Sequence, residues 1–291
     1  MTKKHGKCAL CGSVCKLGFE HIPPKSAFNA ETVRKYSGLE ILFDKKRDPR
    51  DVQGLKYVLQ QQGAGAHTLC GKCNNNTGKW YGNTYKEVAR IIAEAFSQSK
   101  KETIPGIRIE EIYGARFIKQ VLSMFCSINN HEFLQGYLDP DIEGLSGNLS
   151  PIARTIFKTK IDLMNAAIHV EDLRTFVLDK DAKGLDKSKF KLCMYFTDSQ
   201  TSKRVGVVSL GNWKEDKHFI ISEVAMWPLG FVLYFYPPEN SDFVGVDITA
   251  LADLGYNDLV SIEFPFVIKE INTCIPLDYR SKEQIEEATS K

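Results

Sequence analysis

The sequence predicts an α+β protein with a small, cysteine-bearing N-terminal lobe and a larger α+β C-terminal domain. Three observations lead to this fold class. Two Cys-x2-Cys pairs occur within the first 73 of the 291 residues. Apolar residues at helical spacing follow the second pair, and a succession of short apolar strands fills residues 190–268. Helices and strands that are segregated along the chain, rather than strictly alternating, are typical of α+β domains.

The individual elements follow from apolar periodicity and from turn residues. In the N-terminal part, two short strands are predicted at residues 55–60 and 66–69. A helix is predicted at 83–98, and Asn83 or Thr84 can cap its start. Further along the chain, the predicted helices are 114–128 and 152–167, and the predicted strands are 190–196, 205–210, 219–225, 230–236 and 259–268.

A polar stretch at residues 97–106 marks the predicted boundary between domains 1–104 and 105–291. The formal net charge of +2 conceals an asymmetry between the two. The first domain has 18 Lys and Arg against 9 Asp and Glu, a net +9, whereas the second has 20 against 27, a net −7. A basic lobe favours a polyanionic partner such as nucleic acid, because each neutralised phosphate releases counterions.

The composition is that of an ordinary globular protein, with 43% hydrophobic and 25% charged residues. The longest apolar stretch, residues 226–236, contains Pro228 and Gly230 and is too short to cross a bilayer, so no membrane span is predicted. The basic start has no apolar segment behind it. We therefore expect no signal peptide and predict a cytoplasmic location.

Four of the eight cysteines form two pairs, Cys8/Cys11 and Cys70/Cys73. Without a secretory signal, such close pairs favour metal binding over disulfide formation. Two pairs supply the four thiolates of a tetrahedral structural zinc site, and the wide gap between them implies an inserted segment. Cys15 is an alternative ligand, which we rank second because its spacing from Cys11 does not match that of the other pair.

Two further motifs accompany these cysteines. The segment Glu20-His21-Ile22-Pro23-Pro24 follows the first pair, and the segment Leu69-Cys70-Gly71-Lys72-Cys73-Asn74 contains the second. In this order the motifs resemble the HNH (ββα-metal) endonuclease family, in its four-cysteine zinc type, over residues 7–98. The resemblance implies a zinc-stapled, treble-clef-like ββα-metal nuclease lobe that hydrolyses phosphodiester bonds of DNA, with RNA as an alternative substrate.

The resemblance also implies roles for individual residues. His21 would be the general base, because a neutral imidazole can accept a proton from water at neutral pH. Glu20 and Asn74 would hold a catalytic Mg²⁺ or Mn²⁺ ion. Adjacent strand residues point to opposite faces, so Glu20 and His21 can share one site only if the strand ends in a loop at that point.

Three lysines near the motifs, Lys25, Lys72 and Lys79, are predicted to contact phosphates, the alternative being ordinary solvated surface residues. The sequence departs from the family pattern in two places. The acidic residue before the base is Glu20, where the family more often has Asp. The middle Asn of the family has no obvious counterpart, and His67 is the polar residue nearest to that place.

Residues 105–291 contain no recognisable catalytic pattern. Ser222-Glu223 and residues 278–280 place polar groups inside or beside apolar strands, which indicates internal hydrogen bonding or a ligand pocket. We predict that this domain controls the nuclease through a protein partner or a small-molecule activator, in bacterial anti-phage defence or restriction; an oligomer is compatible with the sequence. The alternative function is a non-catalytic zinc-knuckle module that binds nucleic acid or another protein.

Overall fold

The computed structural model describes residues 4–36, 54, 56–99, 105–129, 170–198, 202–212, 217–237, 243–266 and 278–281. The strands, in chain order, are β1 (His5–Lys7), β2 (Val14–His21), β3 (Val33–Tyr36), β4 (Tyr57–Gln60), β5 (Gly65–Cys70), β6 (Gly106–Tyr113), β7 (Phe190–Phe196), β8 (Ser202–Asn212), β9 (Lys217–Met226), β10 (Leu229–Phe235), β11 (Val246–Asp247), β12 (Leu259–Pro265) and β13 (Asp278–Ser281). The helices are α1 (Gly71–Thr77), α2 (Asn83–Ser99), α3 (Gly114–Ile128) and α4 (170–178), with a π-helical turn at Gly78–Gly82 and a 3-10 turn at Thr249–Asp253.

The N-terminal lobe is a three-stranded antiparallel sheet in the order β1-β2-β5, followed by α1. β1 and β2 form a hairpin whose turn carries Cys8 and Cys11. β5 returns alongside β2, ends at Cys70, and continues directly into α1, which carries Cys73 in its first turn. The chain path therefore brings the two cysteine pairs to the same end of the sheet.

An eight-stranded antiparallel sheet connects the two predicted domains. Its strand order is β11-β7-β10-β9-β8-β13-β3-β4. β3 and β4 come from the insertion between the cysteine pairs, and β13 pairs with both β3 and β8. The residues on the two sides of the predicted boundary at residue 104 thus contribute strands to one sheet.

One buried apolar cluster likewise contains residues from both sides of residue 104, from Cys8 to Phe264. Helix α3 is buried along nearly its whole length, as expected for a helix that is apolar on most sides. Tyr81 and Tyr85, which follow the second cysteine pair, belong to this core rather than to an exposed surface. The Tyr81 hydroxyl donates to the carbonyl of Val177 in α4 at 2.8 Å, so the segment that follows the N-terminal lobe packs against the C-terminal part.

Several predicted elements are confirmed. The helices predicted at 83–98 and 114–128 are α2 and α3, and the strand predicted at 190–196 is β7. The other predicted strands are present within a few residues of their predicted ends, whereas β1, β2, β3, β6, β11 and β13 were not predicted. The helix predicted at 152–167 lies outside the described residues. Within the described part of the chain, no helix is long and apolar enough to cross a membrane.

Candidate functional site

The four paired cysteines form a compact cluster. The sulfur atoms of Cys8, Cys11, Cys70 and Cys73 all lie within 4.8 Å of one another. A tetrahedral zinc ion with Zn–S bonds of about 2.3 Å requires sulfur–sulfur distances of roughly 3.8 Å, and the distance between Cys11 Sγ and Cys70 Sγ is 3.9 Å. The cluster is therefore compatible with one tetrahedral zinc ion, as the spacing of the cysteines predicts.

Backbone amides support the same sulfur atoms. The amide of Cys70 lies 3.2 Å from Cys8 Sγ, and the amide of Cys73 lies 3.4 Å from Cys70 Sγ. Donors directed at sulfur favour the thiolate, which is the form that binds metal. Cys15, the alternative ligand, is not part of this cluster; its Sγ lies 3.5 Å from the carbonyl oxygen of Ser13.

The β2–β5 pair places Phe19, His21 and His67 on one face. Phe19 pairs with His67, and His21 pairs with Gly65, while a register shift between Gly18 and Phe19 leaves Thr68 as the extra residue of a bulge. The Phe19 ring contacts the His21 ring at 5.1 Å and the His67 ring at 5.4 Å between centroids. Because β2 continues through His21, the strand does not end between Glu20 and His21.

The His21 imidazole is held by a backbone carbonyl. Its Nε2 lies 2.7 Å from the carbonyl oxygen of Gln62. A carbonyl can only accept, so Nε2 carries the proton and Nδ1 of the neutral ring is the nitrogen that can take up another. Burial lowers the pKa of His21, and the positive charge of Lys25 acts in the same direction, while the bond to Gln62 opposes the change. The net lowering favours the unprotonated ring that a general base requires.

Asn29 is a site residue that the sequence did not reveal. Its side chain is fully buried, and its Nδ2 donates to the carbonyls of Pro23 at 2.6 Å and Ala64 at 2.8 Å. The amide of Ala64 donates back to Asn29 Oδ1 at 2.7 Å. These bonds join the loop after His21 to the segment that carries the Gln62 carbonyl. No spacing rule identifies such a residue, because its partners are backbone groups of Pro23 and Ala64, 6 and 35 residues away.

Gly63 permits this arrangement. Its φ of +98° is unfavourable for residues with a side chain, and a Cβ placed there would lie 2.1 Å from the carbonyl oxygen of Asn29. The turn that presents Gln62 to His21 therefore depends on glycine at this position.

We expect Asn29→Ala to destabilise the protein by about 3 kcal/mol, because three buried hydrogen bonds worth about 1 kcal/mol each are lost. Chemical denaturation of both proteins measures this difference. The matched control is Asn75→Ala, whose side chain is exposed on α1 and which should change stability little. Equal stability of the Asn29 variant and the wild type would show that Asn29 does not hold the loop.

Asn74 lies on α1 against the strand that carries the histidine. Its Nδ2 is 3.3 Å from the carbonyl oxygen of Phe19, two residues before His21. Since the amide nitrogen points at this carbonyl, the Oδ1 atom remains as the acceptor or ligand atom of the side chain. The fold thus brings Asn74 to the strand of His21, across more than 50 residues of sequence.

Glu20 does not join the face of His21, contrary to its predicted role as a ligand of the catalytic ion. Its side chain is 4% exposed, and its carboxylate accepts hydrogen bonds from Thr68 at 2.8 Å and from Ser127 of α3. Neighbouring residues of a continuous strand point to opposite faces, so Glu20 faces the core while His21 faces outwards. Burial raises the pKa of Glu20 to about 7, against the lowering effect of the hydrogen bonds from Ser127 and Thr68.

This raised pKa makes stability depend on pH. Because the pKa is about 7 in the folded protein and 4.5 in its reference state, the proton on Glu20 stabilises the fold at low pH, and this contribution is lost as pH rises through 7. We expect Glu20→Gln to match the wild type at pH 4.5 and to exceed it at pH 8.5 by on the order of 3 kcal/mol. Unfolding curves between these two pH values measure the gap.

The exposed Glu87→Gln on α2 is the matched control and should leave the pH dependence unchanged. A gap between the Glu20 variant and the wild type that is constant with pH, or that widens towards acid, would contradict the raised pKa.

The lysines Lys25, Lys72 and Lys79 are exposed around this lobe, and so is His67. In the C-terminal part, Ser222 and Glu223 are buried and hydrogen-bonded, Ser222 to Asn129 at 2.9 Å and Glu223 to Tyr195 at 2.6 Å. These bonds favour the internal hydrogen-bonding interpretation of the two residues over a ligand pocket.

Comparison with protein-family models, with curated proteins and with solved structures finds no match in any of the three. The chemistry of the site has to be inferred from its own residues. Among the described residues, the four cysteines are the one group of three or more His, Cys, Asp or Glu side chains whose ligand atoms could share a metal ion.

Proposed function

We propose that this chain is a zinc-stapled endonuclease of the ββα-metal type, which hydrolyses phosphodiester bonds of DNA with His21 as the general base. The observation that carries the proposal is the bond of 2.7 Å between His21 Nε2 and the Gln62 carbonyl. It leaves Nδ1 as the basic atom of a half-buried imidazole, on the strand that Asn74 also contacts.

The order of the elements supports the same proposal. A cysteine-bearing turn, the antiparallel pair of β2 and β5, and a helix that begins at the second cysteine pair give the order of a treble-clef-like ββα lobe, with β3 and β4 inserted between the two strands. A zinc ion bound by Cys8, Cys11, Cys70 and Cys73 would fix β2 relative to α1. The ion is structural, since four thiolates leave it no open coordination position.

The proposed reaction begins when His21 Nδ1 takes a proton from a water molecule as the water attacks phosphorus. A bond forms between the water oxygen and phosphorus, and the bond from phosphorus to the leaving sugar oxygen breaks. The exposed side chains of Lys25, Lys72 and Lys79 are proposed to neutralise phosphates of the bound strand. The net charge of +9 in residues 1–104 supports a polyanionic substrate.

The donor set for a catalytic Mg²⁺ or Mn²⁺ ion is weaker than the resemblance implies. Such ions prefer several oxygen ligands, usually with at least one carboxylate. Of the two expected ligands, Asn74 lies beside the strand of His21, whereas Glu20 is turned into the core. These residues alone do not make a Mg²⁺ site.

The second candidate function is a zinc-knuckle module that binds nucleic acid without cutting it. The specific observation in its favour is the orientation of Glu20, which leaves His21 without a neighbouring carboxylate.

Incubation of zinc-loaded protein with supercoiled plasmid DNA separates the two functions. Parallel reactions contain Mg²⁺, Mn²⁺ or EDTA, and each is analysed for nicked products and for a shift in mobility. The nuclease proposal expects nicked or linear DNA. A salt-dependent shift with no cutting under any of these conditions supports the binding module, and cutting of RNA in place of DNA would change the assigned substrate.

A further inference from the structure

Phe28 is an exposed aromatic residue on the loop that follows the proposed base. It lies between β2 and β3, and it is 42% exposed although its side chain is large and apolar. Its neighbours Ala27 and Asn29 are both buried. The loop is therefore anchored on either side of Phe28 and presents this one ring to solvent.

The backbone conformation at Phe28 does not explain an aromatic residue there. Its φ angle is +65°. This left-handed region is unfavourable for a bulky side chain, and glycine or asparagine adopts it more easily. A reason for the ring has to come from what its exposed surface contacts.

Trp227 extends this aromatic surface from the C-terminal part of the chain. It lies in the turn between β9 and β10, is partly exposed, and contacts the Phe28 ring at 4.7 Å between centroids with 66° between the ring planes. In an edge-to-face contact of this kind, at least one face of Phe28 is not covered by the tryptophan. The buried Phe96 of α2 lies behind Trp227, at 6.4 Å between centroids. We call Phe28 and Trp227 the aromatic step.

The aromatic step lies close to the proposed base and to a positive charge. Asn29, the residue after Phe28, donates to the carbonyl of Pro23 at 2.6 Å, and Pro23 is two residues from His21. Lys25 of the same loop is exposed, and its charge contributes to the lowered pKa of His21. A nucleic-acid strand whose phosphates contact Lys25 would therefore have its nearest bases beside the aromatic step.

We propose that the aromatic step stacks on an unpaired base next to the linkage that His21 cuts; this inference rests on the proposed nuclease function. Both faces of a base inside a duplex are already stacked on neighbouring bases, whereas an unpaired base offers a free face to a protein ring. Stacking of this kind tolerates any sequence, because every base has such a face. The preferred substrate is therefore DNA with a bulged, gapped or single-stranded nucleotide, and not a continuous duplex.

Fluorescence anisotropy of the zinc-bound protein tests this with three DNA probes at one salt concentration. The first probe is a continuous duplex, the second has one extra unpaired adenosine in one strand, and the third has the same extra nucleotide without its base. The second and third probes carry the same phosphates, so the ratio of their affinities isolates the contribution of the unpaired base. The measurement needs no added divalent ion and does not depend on cutting.

We expect the wild type to bind the bulged probe about 5-fold or more tightly than the baseless probe, the lower end of what one base–aromatic stack contributes. Phe28→Ala should bind these two probes equally, and Phe28→Tyr, which keeps a ring, should keep the preference. The matched control is Tyr236→Ala. Tyr236 is 41% exposed and has a φ of +54°, but it follows β10 at the end opposite Trp227, so its loss should not change the preference.

Equal affinity of the wild type for the bulged and baseless probes would overturn the inference, and so would a preference that persists in Phe28→Ala. Weaker binding of Phe28→Ala to the continuous duplex by the same factor would show that Phe28 supports the fold, which also overturns it. A wild type that prefers the bulged probe but cuts no DNA would support the stacking role while the nuclease proposal fails. The two failures are therefore distinguishable.

Discussion

Replacement of His21 by Ala should slow DNA cutting by about 10²- to 10⁴-fold, the range that general acid–base catalysis contributes. The loss is expected because Nδ1 of this ring is the proposed acceptor of the water proton, with Nε2 held by the Gln62 carbonyl. The rate of conversion of supercoiled plasmid to nicked plasmid measures the effect. DNA affinity should change little, since the charges of Lys25, Lys72 and Lys79 remain.

The structure of this variant has to be intact for the result to be meaningful. His21 is half-buried and contacts Phe19, so the variant loses some packing, and its zinc content and unfolding midpoint should be measured beside its activity. A folded, zinc-loaded His21→Ala that cuts at the wild-type rate would contradict the proposed role of this residue.

Removal of zinc should unfold the N-terminal lobe. Binding of a structural zinc ion contributes about 10–16 kcal/mol, which is comparable to the whole stability of a typical protein of about 5–15 kcal/mol. Cys73→Ser takes one sulfur from the cluster, and Cys73 is also buried in the core. We expect this variant to bind less than one zinc per chain, to be cleaved rapidly by proteases within the first 100 residues, and to lose activity.

Cys15→Ser is the matched control for this experiment. Cys15 is the second residue of β2. Its sulfur atom lies outside the cluster, and its side chain is partly exposed. The variant should keep one zinc ion per chain and wild-type protease resistance. Loss of zinc from Cys15→Ser together with retention by Cys73→Ser would mean that the ligands are assigned incorrectly.

Features with a local signature could be predicted from the sequence. The spacing of Cys8, Cys11, Cys70 and Cys73 predicts their cluster, because each Cys-x2-Cys pair directs two sulfur atoms at one point. Helices α2 and α3 were predicted because their apolar residues recur at helical spacing. Strand β7 is apolar at every position except Lys191, and its position was predicted for that reason.

Features that depend on distant partners could not be predicted. The side to which Glu20 points depends on β2 continuing through His21 and on Ser127, more than 100 residues away. Asn29 holds its loop through backbone groups that no motif marks. The pairing of β3 with β13 joins residues 33–35 to residues 279–281, and composition gives no sign of it. For the same reason, the boundary at residue 104 does not mark separate cores.

Control of the proposed nuclease by the C-terminal part remains a prediction, and the contacts between the two parts suggest where it would act. Arg174 of α4 donates to the carbonyl of Leu10, in the first cysteine turn, at 2.8 Å. Ser127 of α3 donates to Glu20, next to His21. A partner or small molecule that moved α3 or α4 would therefore act directly on the cysteine turn and on the strand of the proposed base.

The arrangement of the proposed site depends on one zinc ion bound by both cysteine pairs, and X-ray absorption at the zinc edge tests this most directly. Purified wild-type protein should contain one zinc ion per chain, surrounded by four sulfur atoms at about 2.3 Å. A zinc ion with nitrogen or oxygen neighbours in place of some of the sulfur atoms, or a folded protein without zinc, would contradict the assignment of both cysteine pairs to one zinc ion.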